Sequence, residues 1–223
     1  MTRVLITGGN RGIGLELVKA CQTRGWQVTA ACREASKALD STGATVLDQV
    51  DVSDAESIKG LVDRLDDEPI DLLINNAGRL SPQSLGEIDD EAVEGILTQF
   101  RVNALGPLLV SQALYPRMAT GGKIAIITSR MGSIADNSSG GSYGYRMSKT
   151  AVNAAGVSLA QDLRGEGIAV GLFHPGFVRT EMTSGQGNVE PSEAAADLLA
   201  RIDELSLDTS GGFWHAKGDS LPW

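Results

Sequence analysis

The sequence predicts a doubly wound α/β fold, in which helices cover both faces of a parallel sheet. Short apolar segments alternate along the whole chain with longer segments of helical periodicity. The short segments are apolar on both faces, as strands are when helices cover a parallel sheet on both sides. No linker, repeat or low-complexity segment interrupts this alternation over 223 residues, which indicates a single domain covering residues 1–223.

Seven segments are predicted to form the strands of a mostly parallel sheet, with six helices between them. The predicted strands are 4–7, 27–32, 44–49, 71–75, 123–128, 168–173 and 212–214. The predicted helices are 12–24, 54–66, 88–100, 102–118, 143–164 and 191–205. For the second helix the sequence predicts Ser53 as the N-cap of a capping box with Glu56. Pro191 is predicted in the first turn of the last helix, where its missing N–H costs least.

Composition argues against several classes of function. A net charge of −9 disfavours general binding to nucleic acids or anionic membranes, which requires a basic surface. No apolar run approaches the roughly 18 residues of a membrane span. Only residues 4–7 separate Arg3 from the first glycines, too few for a secretory signal, so we expect a cytoplasmic protein. Cys21 and Cys32 are predicted to be packing thiols, and with only two histidines in the chain we expect no metal site.

A glycine-rich loop, TGGNRGIG at 7–14, follows the first predicted strand and opens the first predicted helix. A second strand follows within about thirty residues, which completes a βαβ unit. In such a unit the glycines let the backbone approach a pyrophosphate, and the helix N-terminus supplies N–H donors and a positive dipole end. The loop therefore predicts a Rossmann-type dinucleotide-binding domain, although its spacing, Gly8-x-x-x-Gly12-x-Gly14, is not the usual G-x-G-x-x-G.

The end of the second strand indicates which dinucleotide is bound. Sites that prefer NAD usually carry Asp or Glu there, to accept a hydrogen bond from the ribose 2′-hydroxyl. Here Cys32 stands at that position, Arg33 follows it, and Arg11 lies in the glycine loop. Two guanidinium groups suit a 2′-phosphate, so NADP(H) is predicted in preference to NAD(H). Two alternatives stay open: both arginines are solvated surface residues, or a shift of one residue brings Glu34 to the ribose.

Tyr145 and Lys149 form the candidate catalytic pair. Their i,i+4 spacing puts both side chains on one face of a predicted helix. An ammonium group near a phenol favours the phenolate, which lowers the phenol pKa from its usual value of about 10. Such a tyrosine can exchange a proton with a carbonyl or hydroxyl oxygen. The same spacing also occurs by chance in many helices.

Seven motifs occur together along the chain: TGGNRGIG, DVSD, NNAG, RVNALGP, ITS, YRMSK and HPGFVRTEM. By their order and approximate spacing, the chain resembles the classical short-chain dehydrogenases/reductases over essentially its whole length. Within that family it is similar to the C-factor and sniffer-type carbonyl reductase branch. The resemblance implies an NADPH-dependent oxidoreductase that transfers a hydride between the nicotinamide and a small carbonyl or alcohol substrate. It also implies an alternative, a dinucleotide-binding signalling or regulatory protein that acts through a protein partner.

The resemblance also implies roles for individual residues. Tyr145 would be the general acid/base, and Lys149 would lower its pKa and bind the nicotinamide ribose. Ser129 would bind the substrate oxygen, and Asn103 would hold a water of a proton relay. The implied cofactor-binding residues are Gly8, Asn10, Arg11, Gly12, Ile13, Arg33, Asp51, Val52, Asn75, Ala77, Gly78, Tyr145, Lys149, Pro175, Gly176, Val178 and Thr180.

Three features of the chain depart from the family pattern or offer a second candidate for a role in the site. The gap from Ser129 to Tyr145 is a few residues longer than is usual in the family, and strict spacing would fall next to Ser133. Ser133 therefore stays open as the substrate-binding serine. Tyr143 has no lysine four residues on and is predicted to line the pocket. His174 follows a predicted strand and is predicted to be a hydrogen-bonded structural histidine.

The substrate pocket is predicted to be formed by 130–142 and 180–192. Residues 181–191 are short and polar, with two glycines, and are predicted to form a flap that a ligand orders. Little apolar surface there favours a small carbonyl compound as substrate. The resemblance further implies a homodimer or homotetramer in which helices 102–118 and 143–164 pair across the interface. The small residues of 143–164 could equally pack within one chain.

Overall fold

Seven strands form one parallel sheet in the computed structural model, which describes residues 1–223. The strands are β1 (Arg3–Thr7), β2 (Gln27–Ala31), β3 (Thr45–Leu47), β4 (Ile70–Asn75), β5 (Met118–Ile127), β6 (Ala169–His174) and β7 (Phe213–His215). Their order in the sheet is β3-β2-β1-β4-β5-β6-β7, and every neighbouring pair is parallel. The predicted Rossmann-type fold is confirmed. The strand order reverses between β1 and β4, which is where such sheets bind ligands.

Seven α-helices connect or flank the strands. They are α1 (Gly12–Thr23), α2 (Lys37–Asp40), α3 (Ala55–Asp63), α4 (Asp90–Phe100), α5 (Gly106–Leu114), α6 (Tyr143–Asp162) and α7 (Pro191–Asp203). Short 3₁₀ turns occur at Tyr115–Arg117, Arg130–Gly132, Arg164–Glu166 and Glu181–Thr183. Helix α2 is not among the predicted helices; it is a single turn whose N-cap Ser36 accepts a hydrogen bond from the Leu39 amide at 3.1 Å. No helix combines the length and the apolar character that crossing a membrane requires.

The predicted helix 102–118 is wrong at both ends. A π-helical turn at Arg101–Leu105 joins α4 directly to α5, and Met118 already belongs to β5. Pro107 supplies a physical reason for the wide turn, because it has no N–H to donate to the carbonyl four residues earlier. That carbonyl belongs to Asn103, so the irregular turn lies at a candidate site residue.

The predicted N-cap of α3 is also wrong by one residue. Asp54 caps the helix and accepts a hydrogen bond from the Ser57 amide at 3.0 Å. The Ser53 hydroxyl instead donates to the Asp51 carboxylate at 2.6 Å. The Ser53 hydroxyl, which was expected to cap the helix, thus binds the Asp51 carboxylate instead. Pro191 does lie in the first turn of α7, as predicted.

Helices cover both faces of the sheet, as the two-sided apolar strands indicate. Alternate residues of β1 enter different cores: Val4 and Ile6 pack on the side of α1 and α7, and Leu5 packs on the side of α3, α5 and α6. Cys21 and Cys32 are free and buried in the first of these cores. Burial raises the pKa of the Cys21 thiol to about 12, so it is a packing thiol and unreactive as a nucleophile.

Part of the small-residue pattern of α6 is explained within one chain. A Cβ at Gly156 would lie 2.8 Å from the Leu172 side chain, so glycine there lets α6 lie close against β6. Ala160 packs in the core between α6 and the sheet. Ala154 alone among the alanines and glycines of α6 is exposed, and Ala151 packs half-buried against the same core.

Candidate active site

A cleft of about 940 Å³ opens at the carboxyl ends of the parallel strands. The residues that line it include Gly8 after β1, Cys32 after β2, Asn76 after β4, Thr128 after β5 and Pro175 after β6. Five neighbouring strand ends therefore contribute to one site, because parallel strands direct all their following loops to the same edge.

Nearly all the predicted site residues meet in this cleft. The predicted residues that line it are Gly8, Asn10, Arg11, Gly12, Ile13, Arg33, Asp51, Val52, Ala77, Gly78, Ser129, Tyr145, Lys149, Pro175, Gly176, Val178 and Thr180. Asn75 and Asn103 do not line it. Segments separated by most of the chain length thus converge on one volume.

The glycine loop leaves the start of α1 open to the cleft. Arg11 is the N-cap in an extended conformation, and its side chain makes no capping hydrogen bond. The backbone of Gly12, Ile13 and Gly14 therefore presents first-turn N–H groups beside the cleft. A Cβ at Gly14 would overlap the Gly8 carbonyl oxygen, so the loop can close this tightly only with glycine. Open N–H groups at a helix start fit a pyrophosphate.

At the end of β2, positive and negative groups lie side by side. The Arg33 side chain is exposed and makes no hydrogen bond or ion pair within the chain, and Glu34 also lines the cleft. Arg11 forms an exposed ion pair with Glu181 across the cleft. Burial raises the pKa of Asp51, but hydrogen bonds from Ser53 and the charge of Arg33 together outweigh burial, and its pKa lies below the usual range. Both arginines therefore line the cleft, but Arg33 is free whereas Arg11 is paired with Glu181.

The two asparagines after β4 differ in direction. Asn75 ends the strand, is buried, and donates to the Ser111 hydroxyl at 3.0 Å, with its Oδ1 unpartnered. Asn76, which the sequence analysis did not select, lines the cleft and donates to the carbonyls of Thr7 and Gly8 at 3.1 and 3.2 Å. Side chains alternate along a strand, so of two adjacent residues only one faces a given side. That alternation is the signal that could have identified Asn76.

Asn103 is fully buried in the π-helical turn and connects two walls of the site. Its Oδ1 accepts a hydrogen bond from the Arg79 amide at 2.8 Å. Its Nδ2 donates to the Arg79 carbonyl at 2.8 Å and to the Ser148 hydroxyl at 3.0 Å. All three contacts are with the protein itself, so Asn103 ties the loop after β4 to α6. Its predicted role in a water relay stays a prediction.

Tyr145, Lys149 and Ser129 form the centre of the cleft. The Lys149 ammonium donates to the Ile127 carbonyl at 2.9 Å and lies 5.8 Å from the centre of the Tyr145 ring. Ser129 lines the cleft together with Tyr145, and its hydroxyl accepts a hydrogen bond from the Met131 amide at 3.1 Å. Ser133 does not line the cleft, because its hydroxyl accepts from the Asp136 amide at 3.1 Å within its own loop. The extra length between Ser129 and Tyr145 is therefore taken up by the loop.

Burial controls the protonation of the central pair. Burial raises the pKa of Tyr145 to about 12, and the nearby Ser129 side chain offsets only part of this. Burial also lowers the pKa of Lys149 to about 8. The expected lowering of the Tyr145 pKa by Lys149 is absent in the protein alone, because the ammonium is directed at the Ile127 carbonyl. At neutral pH Tyr145 is a phenol with a proton to give.

The structure differs from the prediction at two aromatic residues, His174 and Tyr143. His174 lines the cleft, but its buried Nδ1 has no hydrogen-bond partner, so the predicted hydrogen-bonded role is wrong for that atom. Burial and then the nearby charges of His215, Arg130 and Lys149 lower the pKa of His174 to about 3, so it is neutral at physiological pH. Tyr143 does not line the cleft, because it begins α6 two residues before Tyr145 and so points elsewhere.

Both predicted substrate segments reach the cleft. From 130–142 these are Arg130, Met131, Asp136 and Ser139, and from 180–192 they are Thr180, Glu181, Met182 and Thr183. The second segment is anchored at several points: the Thr183 hydroxyl contacts the Val178 carbonyl at 2.8 Å, and Val189 is buried. A flap movement would therefore concern the tip of this segment, because its ends pack against the domain.

The comparisons with known proteins agree with one another. The model of the family described as short chain dehydrogenase matches residues 2–190. The chain is 37% identical to 1-hydroxy-2-glutathionyl-2-methyl-3-butene dehydrogenase of Rhodococcus sp. (strain AD45), over all of both chains. It is 41% identical to C-signal of Myxococcus xanthus, over 70% of this chain and 93% of the relative.

Solved structures give the same result at the level of the fold. The carbonyl reductase Sniffer of D. melanogaster superposes with a TM-score of 0.90 at 27% identity, over all of both chains. An NADPH-bound carbonyl reductase from chicken fatty liver superposes with a TM-score of 0.90 at 29% identity, over 100% of this chain and 99% of that one. These neighbours share the whole domain, including both segments predicted to form the substrate pocket.

Proposed function

The chain belongs to the short-chain dehydrogenase family, and from this membership we propose that it is an NADPH-dependent oxidoreductase acting on small carbonyl or alcohol compounds. One observation carries the proposal: Ser129 and Tyr145 line the same cleft as the open N-terminus of α1. A carbonyl oxygen there receives two hydrogen bonds, and the glycine loop holds the dinucleotide beside it.

In the proposed reduction, Tyr145 donates its proton to the substrate oxygen as negative charge develops there. With a pKa of about 12, the phenol keeps its proton at neutral pH until a more basic oxygen forms. Ser129 orients the same oxygen. Lys149 is positively charged below its pKa of about 8 and stabilises the phenolate that proton transfer leaves behind. The bound nicotinamide supplies the hydride.

The other lining residues fit the cofactor. The first-turn N–H groups of α1 hold the pyrophosphate, and Asp51 with Val52 borders the adenine. Arg11 and Arg33 bind the 2′-phosphate, and the free guanidinium of Arg33 supports this assignment. NADPH in a solved neighbour that covers the whole chain supports NADP(H) in preference to NAD(H).

Two substrate classes follow from the names of the relatives. Neighbours described as carbonyl reductases suggest aldehydes and ketones. The dehydrogenase that is 37% identical takes its name from a glutathionyl alcohol, which suggests oxidation of thioether alcohols. Turnover of a panel of both classes, assayed with NADPH or NADP⁺ and with NADH or NAD⁺, tests the reaction, the cofactor and the substrate class together.

Tyr145→Phe tests the assigned acid. We expect kcat/KM for carbonyl reduction to fall by about a thousandfold, because the ring remains while the proton donor is lost. NADPH binding should persist, since the phenylalanine ring keeps the volume of the site. Tyr143→Phe is the matched control, because Tyr143 begins the same helix without lining the cleft. Turnover that survives Tyr145→Phe would refute the assignment.

A second candidate function is that of a signalling or regulatory protein acting through a protein partner. The 41% identity to C-signal favours it, and a dinucleotide site can serve such a role. One result distinguishes the oxidoreductase from the regulatory protein. NADPH that raises the melting temperature without turnover of any panel member would favour the regulatory function.

We also propose a homodimer or homotetramer. Val93 and Leu97 on α4, Leu105 in the π-helical turn and Met147 on α6 are large apolar side chains with 38–56% exposure. Exposed apolar groups on these neighbouring helices suit contact with a second copy. Sedimentation of wild type and of Leu97→Glu tests this, with dissociation expected in the variant.

A further inference from the structure

Three arginines line the cleft near Tyr145, and only one of them has a carboxylate partner. These are Arg79 after β4, Arg130 after β5 and Arg146 in α6. Resting on the proposed function, we propose that the enzyme selects substrates that carry a carboxylate in addition to the reacting carbonyl or alcohol, and that Arg79 is the principal residue that binds this group.

Arg79 is held in place while its side chain stays free. Its amide and carbonyl both bind the Asn103 side chain at 2.8 Å, which fixes the backbone of the residue. The guanidinium is exposed and makes no hydrogen bond or ion pair within the chain. The fixed backbone leaves only the side chain to be ordered when an anion binds, and the unpartnered cation has no ion pair to give up.

Contacts of its neighbours place Arg79 at the catalytic end of the cleft. Asn103, which holds its backbone, also binds Ser148, and Ser148 in turn donates to the Tyr145 carbonyl at 2.8 Å. A Cβ on the preceding Gly78 would lie 3.9 Å from the Met182 side chain, on the segment predicted to cover substrate. Arg33, a candidate for the cofactor phosphate, lies instead after β2, and the Arg11 guanidinium is already held in an ion pair with Glu181.

The other two arginines add to the positive field in different ways. Arg130 pairs with Asp136, so its charge is balanced locally. Arg146 donates to the Gly141 carbonyl at 3.2 Å and to the Ser139 hydroxyl at 2.8 Å, but to no carboxylate. It therefore keeps an unbalanced charge while it holds the loop that borders the cleft.

The charge at the catalytic end of the cleft is opposite in sign to the net charge of the whole protein. The chain carries a net charge of −9, yet Arg79 and Arg146 bring two unbalanced positive charges to the catalytic end of its cleft. A positive cleft in an acidic protein concentrates anions at the site and repels them elsewhere. Guanidinium also matches the geometry of a carboxylate with two parallel hydrogen bonds.

A matched pair of aldehydes tests the proposal. The probes are 4-carboxybenzaldehyde and methyl 4-formylbenzoate, which share the reacting group and differ in the charge of one substituent. With NADPH and wild-type protein we expect kcat/KM to favour the acid by about tenfold, mainly through KM, and to do so less at high ionic strength. Equal values for the two aldehydes would overturn the proposal.

Variants of Arg79 then test whether this residue causes the preference for the acid over the ester. Arg79→Gln should lower the acid-to-ester ratio by about tenfold, Arg79→Glu should turn it in favour of the ester, and Arg79→Lys should keep most of it. Arg101→Gln is the matched control, since Arg101 is an exposed arginine without a side-chain partner that does not line the cleft. A ratio unchanged in Arg79→Glu, or lowered equally in Arg101→Gln, would refute the role of Arg79.

A binding measurement separates this inference from the proposed function. If neither aldehyde is reduced, the proposed activity fails for aldehydes, and calorimetry then decides the inference. The probes are 4-(hydroxymethyl)benzoate and its methyl ester, titrated into the protein saturated with NADPH. Tighter binding of the acid that is lost in Arg79→Gln would support carboxylate recognition, and equal binding of acid and ester would refute it.

Discussion

The two halves of the cleft are built in different ways. The cofactor half consists mainly of backbone, from the glycine loop, the start of α1 and the turns after β2 and β4, with the side chains of Arg11 and Arg33 at its edge. The substrate half consists of side chains from two polar segments, 130–142 and 180–192, together with Arg79 and Arg146. A site made of backbone requires particular residues at fixed spacing, whereas a site made of side chains depends on how distant segments pack.

Two glycines show the difference between the cofactor half and the substrate half. In the cofactor half, a Cβ at Gly8 would lie 2.9 Å from the Ala77 Cα, so neighbouring backbone excludes any side chain. In the substrate half, a Cβ added at Gly185 would have no heavy atom within 4 Å, and only the positive φ favours glycine there. The first half therefore tolerates little variation, and the second can change with the substrate.

Lys149→Met, at the junction of the halves, should have the largest effect. We expect about a thousandfold loss of activity, because the charge that stabilises the phenolate is removed. We also expect stability at pH 7 to rise by about 2 kcal/mol, because a buried ammonium with a lowered pKa destabilises the fold. Activity assays and chemical denaturation measure the two effects.

The pH dependence of that stability gain has a definite sign. The pKa of Lys149 is about 8 in the native state against a usual 10.5. Below pH 8 the lysine is charged in both states and its burial cost is full. Between pH 8 and 10.5 the native state loses the proton first, so wild-type stability rises and the advantage of Lys149→Met disappears. A gain independent of pH would contradict burial as its cause.

Alanine at paired glycines tests the contrast between the halves directly. Gly14→Ala should cost about 3 kcal/mol of stability and abolish NADPH binding, because the new methyl group overlaps the loop backbone. Gly185→Ala should cost only about 1 kcal/mol, the penalty of a left-handed conformation. Thermal unfolding with and without NADPH measures both. Similar costs at the two sites would remove the distinction between the halves.

Arg33→Ala should have an intermediate effect confined to the cofactor half. We expect the preference for NADPH over NADH to fall by about tenfold, since one charge-assisted contact to the 2′-phosphate is lost. Glu34→Gln separates the alternative, in which the carboxylate binds the ribose hydroxyl. A fall in NADH affinity in Glu34→Gln, with no effect of Arg33→Ala on NADPH, would reverse the assignment.

Glu181→Gln should have the smallest effect, because it breaks an exposed ion pair between the halves. Freed from Glu181, Arg11 becomes available to the 2′-phosphate, and NADPH affinity should rise by about twofold. NADH affinity should not change, which calorimetry with both cofactors can check. An equal change for both would show that the ion pair acts on the loop and not on phosphate recognition.

Motif and periodicity were sufficient for the fold, and the roles of the site residues stay predictions. They predicted the parallel sheet, and all the predicted site residues except Asn75 and Asn103 line the cleft. The predicted helix ends were wrong at two places. The Ser53 hydroxyl binds Asp51 and does not cap α3, and a π-helical turn before Pro107 joins two helices that were predicted to be separate.

The sequence by itself determined the αβ order, the glycine loop and the Tyr145–Lys149 pair, because these follow from local periodicity and fixed spacing. Only the tertiary structure decided that Ser129 and not Ser133 lines the cleft with Tyr145 and that burial sets the pKa of Tyr145. It also revealed the unbalanced charge of Arg79. Direction, burial and charge balance depend on what distant segments bring to the same place, and spacing along one chain does not record that.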